Sequence, residues 1–464
     1  MKLQQPSVIL ALNGFILAIG SILYGTAVLK LPAILPLIMA NIVACLIGKY
    51  LGYSWNELQQ AMFEAIGRVL PAVFLLIAVG MLIGVWILSG TIPAMMYWGL
   101  TLLSPGIFLA TTFILCVIAS TMTGTSFGTM GTIGIALLGV GVTLGYPAPL
   151  IAGAIVSGAY FGDKMSPVSS STYIAASLCE VELFSHIGSM LWTTLPAAGL
   201  ATLLYGLIDS RYAGLAVTSD ILLILESLAR TYHLTVWTLL PPLILMGLAY
   251  RKYPAIPSVL AGVLVGAGVA WLGQQQSLTA ITDVMVNGYA AKTGIRQLDV
   301  LLSRGGIQSM SSSILLLLTA ISFGGILEKT QVLAVLTSRI TAWADTTGRL
   351  VMAVLLAGYI MMLGTGSQMV SIILPGRAFM PVFLERKLAR RVLSRTIEDS
   401  GVLAAPLVPW SVHAFYILGI LGVSAYEYAP YALMCWLVPL FSLLLAYTGI
   451  AIWREDEQPI VNKK

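Results

Sequence analysis

Apolar stretches long enough to cross a hydrocarbon core of about 30 Å recur along most of the chain, separated by short polar connections. The pattern predicts helical spans over 7–29, 31–52, 69–90, 106–121, 133–144, 150–161, 186–208, 236–250, 256–272, 311–328, 350–374, 401–423 and 428–453. The strict two-residue alternation of a membrane barrel is absent. Residues 55–68 mix charges with apolar positions and predict an interfacial helix. Residues 209–230 predict a surface loop or an amphipathic helix, and 273–308 a polar connection containing interfacial helix. The expected fold is therefore an all-α integral membrane protein with about 11 to 13 transmembrane helices. It divides into N-terminal spans with the interfacial helix (1–68), a first core (69–208), connecting spans and loops (209–310), a second core (311–453) and a polar tail (454–464).

Composition supports the same class. The chain of 464 residues is 58% hydrophobic and 9% charged, against about 25% charged in an average soluble protein. The lipid bilayer is thus its expected environment, with a multi-pass arrangement. The net charge of +5 comes from basic residues scattered between spans, which set orientation and do not form a nucleic-acid surface. The strongest basic cluster, 385–395, places its side in the cytoplasm, and fixing topology is its simplest role. The N-terminal span lacks a small-residue cleavage site and reads as retained. Cys45, Cys116, Cys179 and Cys435 show neither metal nor redox spacing and read as small core hydrophobes.

Against this background a few polar groups stand out. In 158–172, G-A-Y-F-G-D-K-M-S-P-V-S-S-S-T, Asp163 and Lys164 adjoin within an apolar region. Pro167 interrupts the backbone, and the hydroxyls of Ser169, Ser170, Ser171 and Thr172 follow. A charge inside a bilayer costs at least about 2.5 kcal/mol, so such residues mark transport sites by default. Later, Glu398 and Asp399 form a second acidic motif. Glycine- and hydroxyl-rich breaks precede both motifs: Thr123-Gly124-Thr125-Ser126 and Gly364-Thr365-Gly366-Ser367.

These landmarks repeat. A shift of 240 residues places Gly84 on Gly324 and Gly124-Thr125 on Gly364-Thr365, and brings Asp163 within four residues of Asp399. The basic cluster 385–395 falls on the uncharged 145–155, which favours inverted repeats over parallel ones. Inverted repeats whose broken or re-entrant segments meet at mid-membrane are the architecture of secondary transporters. Two carboxylates from opposite repeats could share a proton, which would make cation binding and protonation compete. Lys164 balances Asp163 or contacts an anionic substrate. One of Glu398 and Asp399 could instead cap a helix. His413 is either a titrating group or a packing residue.

The motif 162–167, G-D-K-M-S-P, together with Glu398-Asp399-Ser400-Gly401 and Pro406-Leu407-Val408-Pro409-Trp410, resembles the signature of the NhaC family of bacterial antiporters. The resemblance covers nearly the whole span pattern. It implies exchange of sodium for protons, or, as in some members, of organic acids or amino acids. Sodium and protons would then be the transported species, with no cofactor and no enzymatic activity. Asp163, Asp399 and Glu398 would bind the cation and the proton, with sodium on Asp163 and Asp399. Thr123, Thr125, Ser126, Lys164, Ser166, Ser169, Ser170, Ser171, Thr172, Thr365, Ser367 and Ser400 would supply the surrounding ligands. Homodimers are a further expectation.

The chain departs from the family pattern. Ser170 stands where the family has Asp, Tyr173 where it has Asn, and Ala404-Ala405 where it favours small hydroxyls. A hard cation seeks several oxygen ligands. These losses widen the expected substrates to small carboxylates or amino acids, with Tyr173, Trp410 and His413 as pocket walls. An intramembrane enzyme would need a nucleophile–base pair or a metal cluster, which three scattered histidines do not supply. No phosphate-binding loop of the G-x-x-x-x-G-K-[ST] kind is present for ATP-driven pumping.

Overall fold

A computed structural model describes residues 5–212 and 218–454; the predicted tail beyond 454 lies outside them. Among the described residues the chain is helical, with a single isolated bridge between Leu388 and Arg454. Among the described residues seven helices are long and apolar enough to cross a membrane, or nine if each of two bent pairs counts as one span. The rest of the expected spans are built from pieces. Five apolar helices are only 10–17 residues long, and others are interrupted where the polar motifs lie.

The chain opens with α1 (Val8–Leu23) and α2 (Ile34–Tyr50), followed by α3 (Trp55–Leu88). The predicted interfacial helix 55–68 is not separate: it is the start of α3, which runs unbroken for 34 residues through Pro71. A capping box explains the start, since Ser54 Oγ accepts from the Glu57 N–H while the Glu57 carboxylate accepts from the Ser54 N–H. Next come α4 (Thr91–Leu102) and α5 (Phe108–Thr123). After Gly124 the chain turns back through α6 (Ser126–Thr129) and a π-helical turn (Met130–Gly134) into α7 (Ile135–Thr143). The ends of this hairpin lie together, with Phe108 against Tyr146 at 5.3 Å between ring centroids. It is re-entrant. Gly124 adopts φ +68° at its tip, a left-handed conformation that glycine tolerates.

The chain then crosses in two halves, α8 (Ala148–Met165) and α9 (Ser170–Leu178), and returns as α10 (Leu183–Tyr212). The connecting region holds α11 (Thr218–Thr231), α12 (Leu240–Tyr250), α13 (Ala255–Gly273), α14 (Leu278–Asn287) and α15 (Arg296–Leu302). Here α11 realises the amphipathic-helix option. Asp209, however, is not part of a surface loop. It is fully buried near the end of α10, where it accepts from the Leu109 and Ala110 N–H groups and from the Tyr146 hydroxyl. It thereby caps the start of α5 from another helix.

The second half repeats the first upside down. It comprises α16 (Ile307–Lys329), α17 (Val332–Trp343), a hairpin of α18 (Thr347–Thr365) and α19 (Gln368–Glu385), the broken pair α20 (Arg390–Ala404) and α21 (Val412–Leu421), and then α22 (Ala425–Tyr428) and α23 (Leu433–Thr448). The predicted span 350–374 is in fact this hairpin, folded back at Gly366 with φ +63°. The true counterpart of Gly124 is therefore Gly366, two residues beyond the match found by sequence shift. The hairpin base is closed by Arg386 donating to the Ala344 carbonyl. The hairpins enter from opposite ends of α10: Asp209 near its end holds Leu109 and Ala110 at the base of the first, whereas Ser189 near its start donates to the Arg391 carbonyl, just beyond the base of the second. The expected inversion is thus realised in the fold. The basic cluster does more than set topology, since Arg395 is fully buried, donates to the Ala451 carbonyl and lies over the Trp453 ring.

Small residues let these elements approach. α5 meets α8 at Gly158 and Gly162, and α3 meets α16 at Gly80 and Gly325. A Cβ on Gly162 would lie 2.3 Å from the Thr121 backbone nitrogen, whereas one on Gly188 would meet nothing within 4 Å. Gly162→Leu is accordingly expected to destabilise the fold by about 1–3 kcal/mol. Thermal unfolding and size-exclusion profiles of detergent-purified protein will show this as a lower Tm and loss of the monodisperse peak, with Gly188→Leu unchanged.

Candidate functional site

Each broken helix ends because its sequence leaves it no continuation. Pro167 cannot continue the hydrogen-bond ladder of α8, and Pro406 and Pro409 do the same after α20. The tip of each hairpin packs on the nearby break. A Cβ on Gly124 would lie 2.4 Å from the Val168 side chain, and one on Gly366 would lie 3.0 Å from the Trp410 carbonyl oxygen. The Val412 N–H also donates to the Gly366 carbonyl at 3.0 Å. Two hairpin tips and two interrupted helices thus converge on one region.

Asp163 stands in the last turn of α8, buried, with one carboxylate oxygen accepting from Ser126 Oγ and the other from Ser169 Oγ, both at 2.7 Å. Ser126 belongs to the first hairpin tip and Ser169 to the break, so one carboxylate joins three elements. Lys164 points elsewhere, as neighbours on a helix must. Its ammonium lies 2.9 Å from an Asp399 oxygen and donates to Thr194 Oγ1 at 2.9 Å. Thr193 donates to the same Asp399 oxygen at 3.2 Å. Both members of this ion pair are fully inaccessible. The pair therefore ties the first repeat to the second. Asp163 and Asp399 hold different partners here and do not share a proton by direct contact.

Glu398 is also fully buried, and neither of its oxygens has a hydrogen-bond partner among the described residues. Neither acid caps a helix start, because both lie well inside α20. His186 on α10 faces the same helix through a 2.8 Å bond to Ser394.

A cavity of about 720 Å³ reaches this region. Of the predicted ligands, Thr123, Thr125, Ser126, Asp163, Ser170, Ser367 and His413 line it. The aromatic ring of Phe127 stacks on Tyr416 with centroids 4.0 Å apart and packs on His413 at 4.7 Å. His413 Nδ1 is in turn bonded to the Tyr160 hydroxyl at 2.5 Å. Arg68 and Lys252 lie at the rim, Arg68 paired with Glu328 at 2.6 Å.

Other predicted residues stand back from the cavity. Ser166 donates to the Thr121 carbonyl, and Ser171 bonds Ser169. Thr172 donates to the Lys164 carbonyl, bridging the break in the helix. Thr365 and Ser400 donate to carbonyls of their own helices. Two predicted pocket walls are corrected. Tyr173 is 64% exposed on the outer surface, because the α9 turn carries it away from the break. Trp410 is buried with its indole N–H on the Leu363 carbonyl at 2.7 Å, so it fastens the second hairpin.

Thr193, Thr194 and Gln368 escaped the sequence reading. The adjacent threonines in the otherwise apolar 186–208 run were the available signal for the first two. No group of three or more His, Cys, Asp or Glu side chains able to hold a metal occurs among the described residues.

Because removing one partner strands a buried charge, Lys164→Met is expected to lower stability by about 3–5 kcal/mol. The double variant Lys164→Met/Asp399→Asn should recover most of that loss. Thermal unfolding of the two singles and the double in detergent will measure the coupling.

Comparison with known proteins agrees with this geometry. The model of the Na+/H+ antiporter family matches residues 158–450. The chain is 37% identical to the Na(+)/H(+) antiporter NhaC of Alkalihalophilus pseudofirmus over 98% of both chains. It is 38% identical to the malate-2H(+)/Na(+)-lactate antiporter of Bacillus subtilis, covering 95% of this chain and 94% of that one. It is also 36% identical to the arginine/ornithine antiporter ArcD of Halobacterium salinarum, covering 95% and 91%. With both acidic motifs inside the matched region and relatives aligned almost end to end, this multi-pass membrane chain belongs to the Na+/H+ antiporter family.

Proposed function

We propose that the protein is a secondary antiporter that exchanges sodium and protons across the bacterial inner membrane by alternating access, with Asp163 as the shared site. The observation that carries this reading is the placement of Asp163. It is the acid that lines the cavity, held between two serine hydroxyls where a hairpin tip meets a broken helix. A carboxylate flanked by two hydroxyl oxygens offers a hard cation the oxygen ligands it needs. A proton on the same carboxylate removes that charge, so the two species occupy the site in turn. Transport, not catalysis, is the activity.

In this reading Asp399 is a partner of Lys164 and not a sodium ligand. One of its oxygens, Oδ1, is engaged by Lys164 and Thr193, and the reading assigns sodium to Asp163 with Ser126 and Ser169 because these line or border the cavity. The Lys164–Asp399 pair holds α8 and α20 in register around that site.

A second reading, exchange of a small organic solute on the same scaffold, is favoured by the cavity itself. At about 720 Å³ it falls in the range of small-molecule sites and far exceeds the needs of one ion. The two reactions named for the relatives from Bacillus subtilis and Halobacterium salinarum are of this kind.

In proteoliposomes with an imposed pH gradient, sodium-driven dissipation is expected to fall by about 100-fold or more in Asp163→Asn, which keeps the hydrogen-bonding shape but not the charge. Ser169→Ala should raise the apparent sodium KM by about 3- to 10-fold with a smaller change in maximal rate. Unchanged exchange in Asp163→Asn would remove Asp163 from the mechanism.

A further inference from the structure

A second cavity, of about 520 Å³, lies between α2, α3 and α16 and shares no lining residue with the first. α2 is fastened to α16 by the Asn41 amide, which donates to the Thr319 carbonyl at 2.9 Å. It meets α3 at Gly48, where a Cβ would lie 2.6 Å from the Leu58 side chain. Away from that joint the two helices leave a groove, with α16 packed on both and lining it between them. Ile38, Ile42 and Leu46 of α2 line it and are exposed.

The three walls share one length and one polar end. Ile38 and Lys49 on α2, Trp55 and Ile66 on α3, and Leu318 and Lys329 on α16 form three such pairs. The members of each pair are about three helical turns apart, which puts them on one face and roughly 16 Å from each other. That is close to half of a hydrocarbon core of about 30 Å, the depth of one leaflet. The polar ends coincide, since a Cβ on Gly48 would lie 3.3 Å from the Thr330 methyl. Lys49, Trp55 and Lys329 are all exposed there, and neither lysine is in an ion pair among the described residues. The acids of the same helix ends are engaged elsewhere: Glu57 accepts from the Ser54 N–H and hydroxyl, and Glu328 holds Arg68. An exposed indole at the same level is the usual mark of the membrane–water boundary.

We propose that this groove binds one anionic phospholipid, with an acyl chain along its apolar length and the phosphate between Lys49 and Lys329. An apolar trough one leaflet deep, ending at two uncompensated ammonium groups, matches that molecule in both length and charge. A second copy of the chain matches it poorly. A two-fold axis normal to the membrane sets equal depths against each other, so it would bring the lysines of both copies together. The bound chain fills the gap between α2 and α3 and so ties the N-terminal helices to the α3–α16 pair.

The experiment uses the full chain, delipidated in a neutral detergent and titrated with dioleoyl phosphatidylglycerol, dioleoyl phosphatidylcholine or inorganic phosphate. Native mass spectrometry counts the lipid retained, and Tm is recorded alongside. Wild type is compared with Lys49→Gln/Lys329→Gln, with Cys45→Trp, which fills the groove, and with Lys252→Gln as a lysine outside it. Wild type and Lys252→Gln are expected to retain one phosphatidylglycerol at concentrations where phosphatidylcholine is lost. Phosphatidylglycerol should raise the Tm, and inorganic phosphate should not. The double glutamine variant should weaken phosphatidylglycerol retention by about tenfold or more, down to the level of phosphatidylcholine. Cys45→Trp should lose the lipid with both lysines in place. The proposal is overturned if the two lipids are retained alike by wild type, or if inorganic phosphate alone reproduces the rise in Tm. Retention of phosphatidylglycerol by the double glutamine variant as by wild type also overturns it, and because both lysines are exposed this arm stands even if Cys45→Trp is unstable. Light scattering supplies the last arm: a lipid-free dimer that Cys45→Trp converts to a monomer makes the groove a subunit contact and ends the lipid assignment.

Discussion

The buried ion pair between Lys164 and Asp399 is the interaction on which the rest of the site depends. Two opposite charges withdrawn from water are tolerable only when each is close to the other and further bonded. Here the lysine also donates to Thr194 and Asp399 Oδ1 also accepts from Thr193, both on one turn of α10, while Asp399 Oδ2 has no hydrogen-bond partner among the described residues. With Lys164 committed to the second repeat, Asp163 is left without a basic partner and is held only by neutral hydroxyls. That division of labour gives the site its character. One acid is paired with a lysine, and the other is bonded to serine hydroxyls.

The architecture follows from the same scarcity. An uninterrupted helix buries all its backbone groups and offers nothing to a solute. Interrupting α8 and α20, and bringing a hairpin tip to each, exposes N–H and carbonyl groups where side chains alone could not supply enough ligands. The stretches that look least like good helices, 121–134, 166–169 and 405–411, are therefore the ones around which the longer helices are arranged.

Much of this was legible from the chain. The cost of charges in an apolar run singled out Asp163, Lys164, Glu398 and Asp399, and the paired breaks revealed the repeat. What escaped detection did so for identifiable reasons. Hydrophobicity measures whether a segment lies in lipid, not whether it crosses, so the hairpin α18–α19 was read as one span and α3 was divided in two. Residue type cannot show direction, so the aromatic Tyr173 was assigned to a pocket from which α9 turns it away. Sequence adjacency suggested that Asp163 and Lys164 balance each other, whereas helical geometry sends them to different partners. Thr193 and Thr194 lie in an apolar span remote in sequence from either acid, and only the packing of α10 against α20 brings them to Asp399.

The antiparallel pair α3 and α16 has a mechanical consequence. Its closest approaches are backbone to backbone. The Gly306 N–H donates to the Gly80 carbonyl at 2.7 Å, a Cβ on Gly325 would lie 2.6 Å from the Ala61 carbonyl oxygen, and Arg68 clasps Glu328 across the same pair. Joints of this kind contain few rotamers that could rearrange, so the pair behaves as a beam that neither shears nor bends easily. At 34 residues, α3 is about 51 Å long, greater than the thickness of the hydrocarbon core. It is long enough to span the membrane as a fixed ruler, and the glycine contacts with α16 hold the two helices together along it.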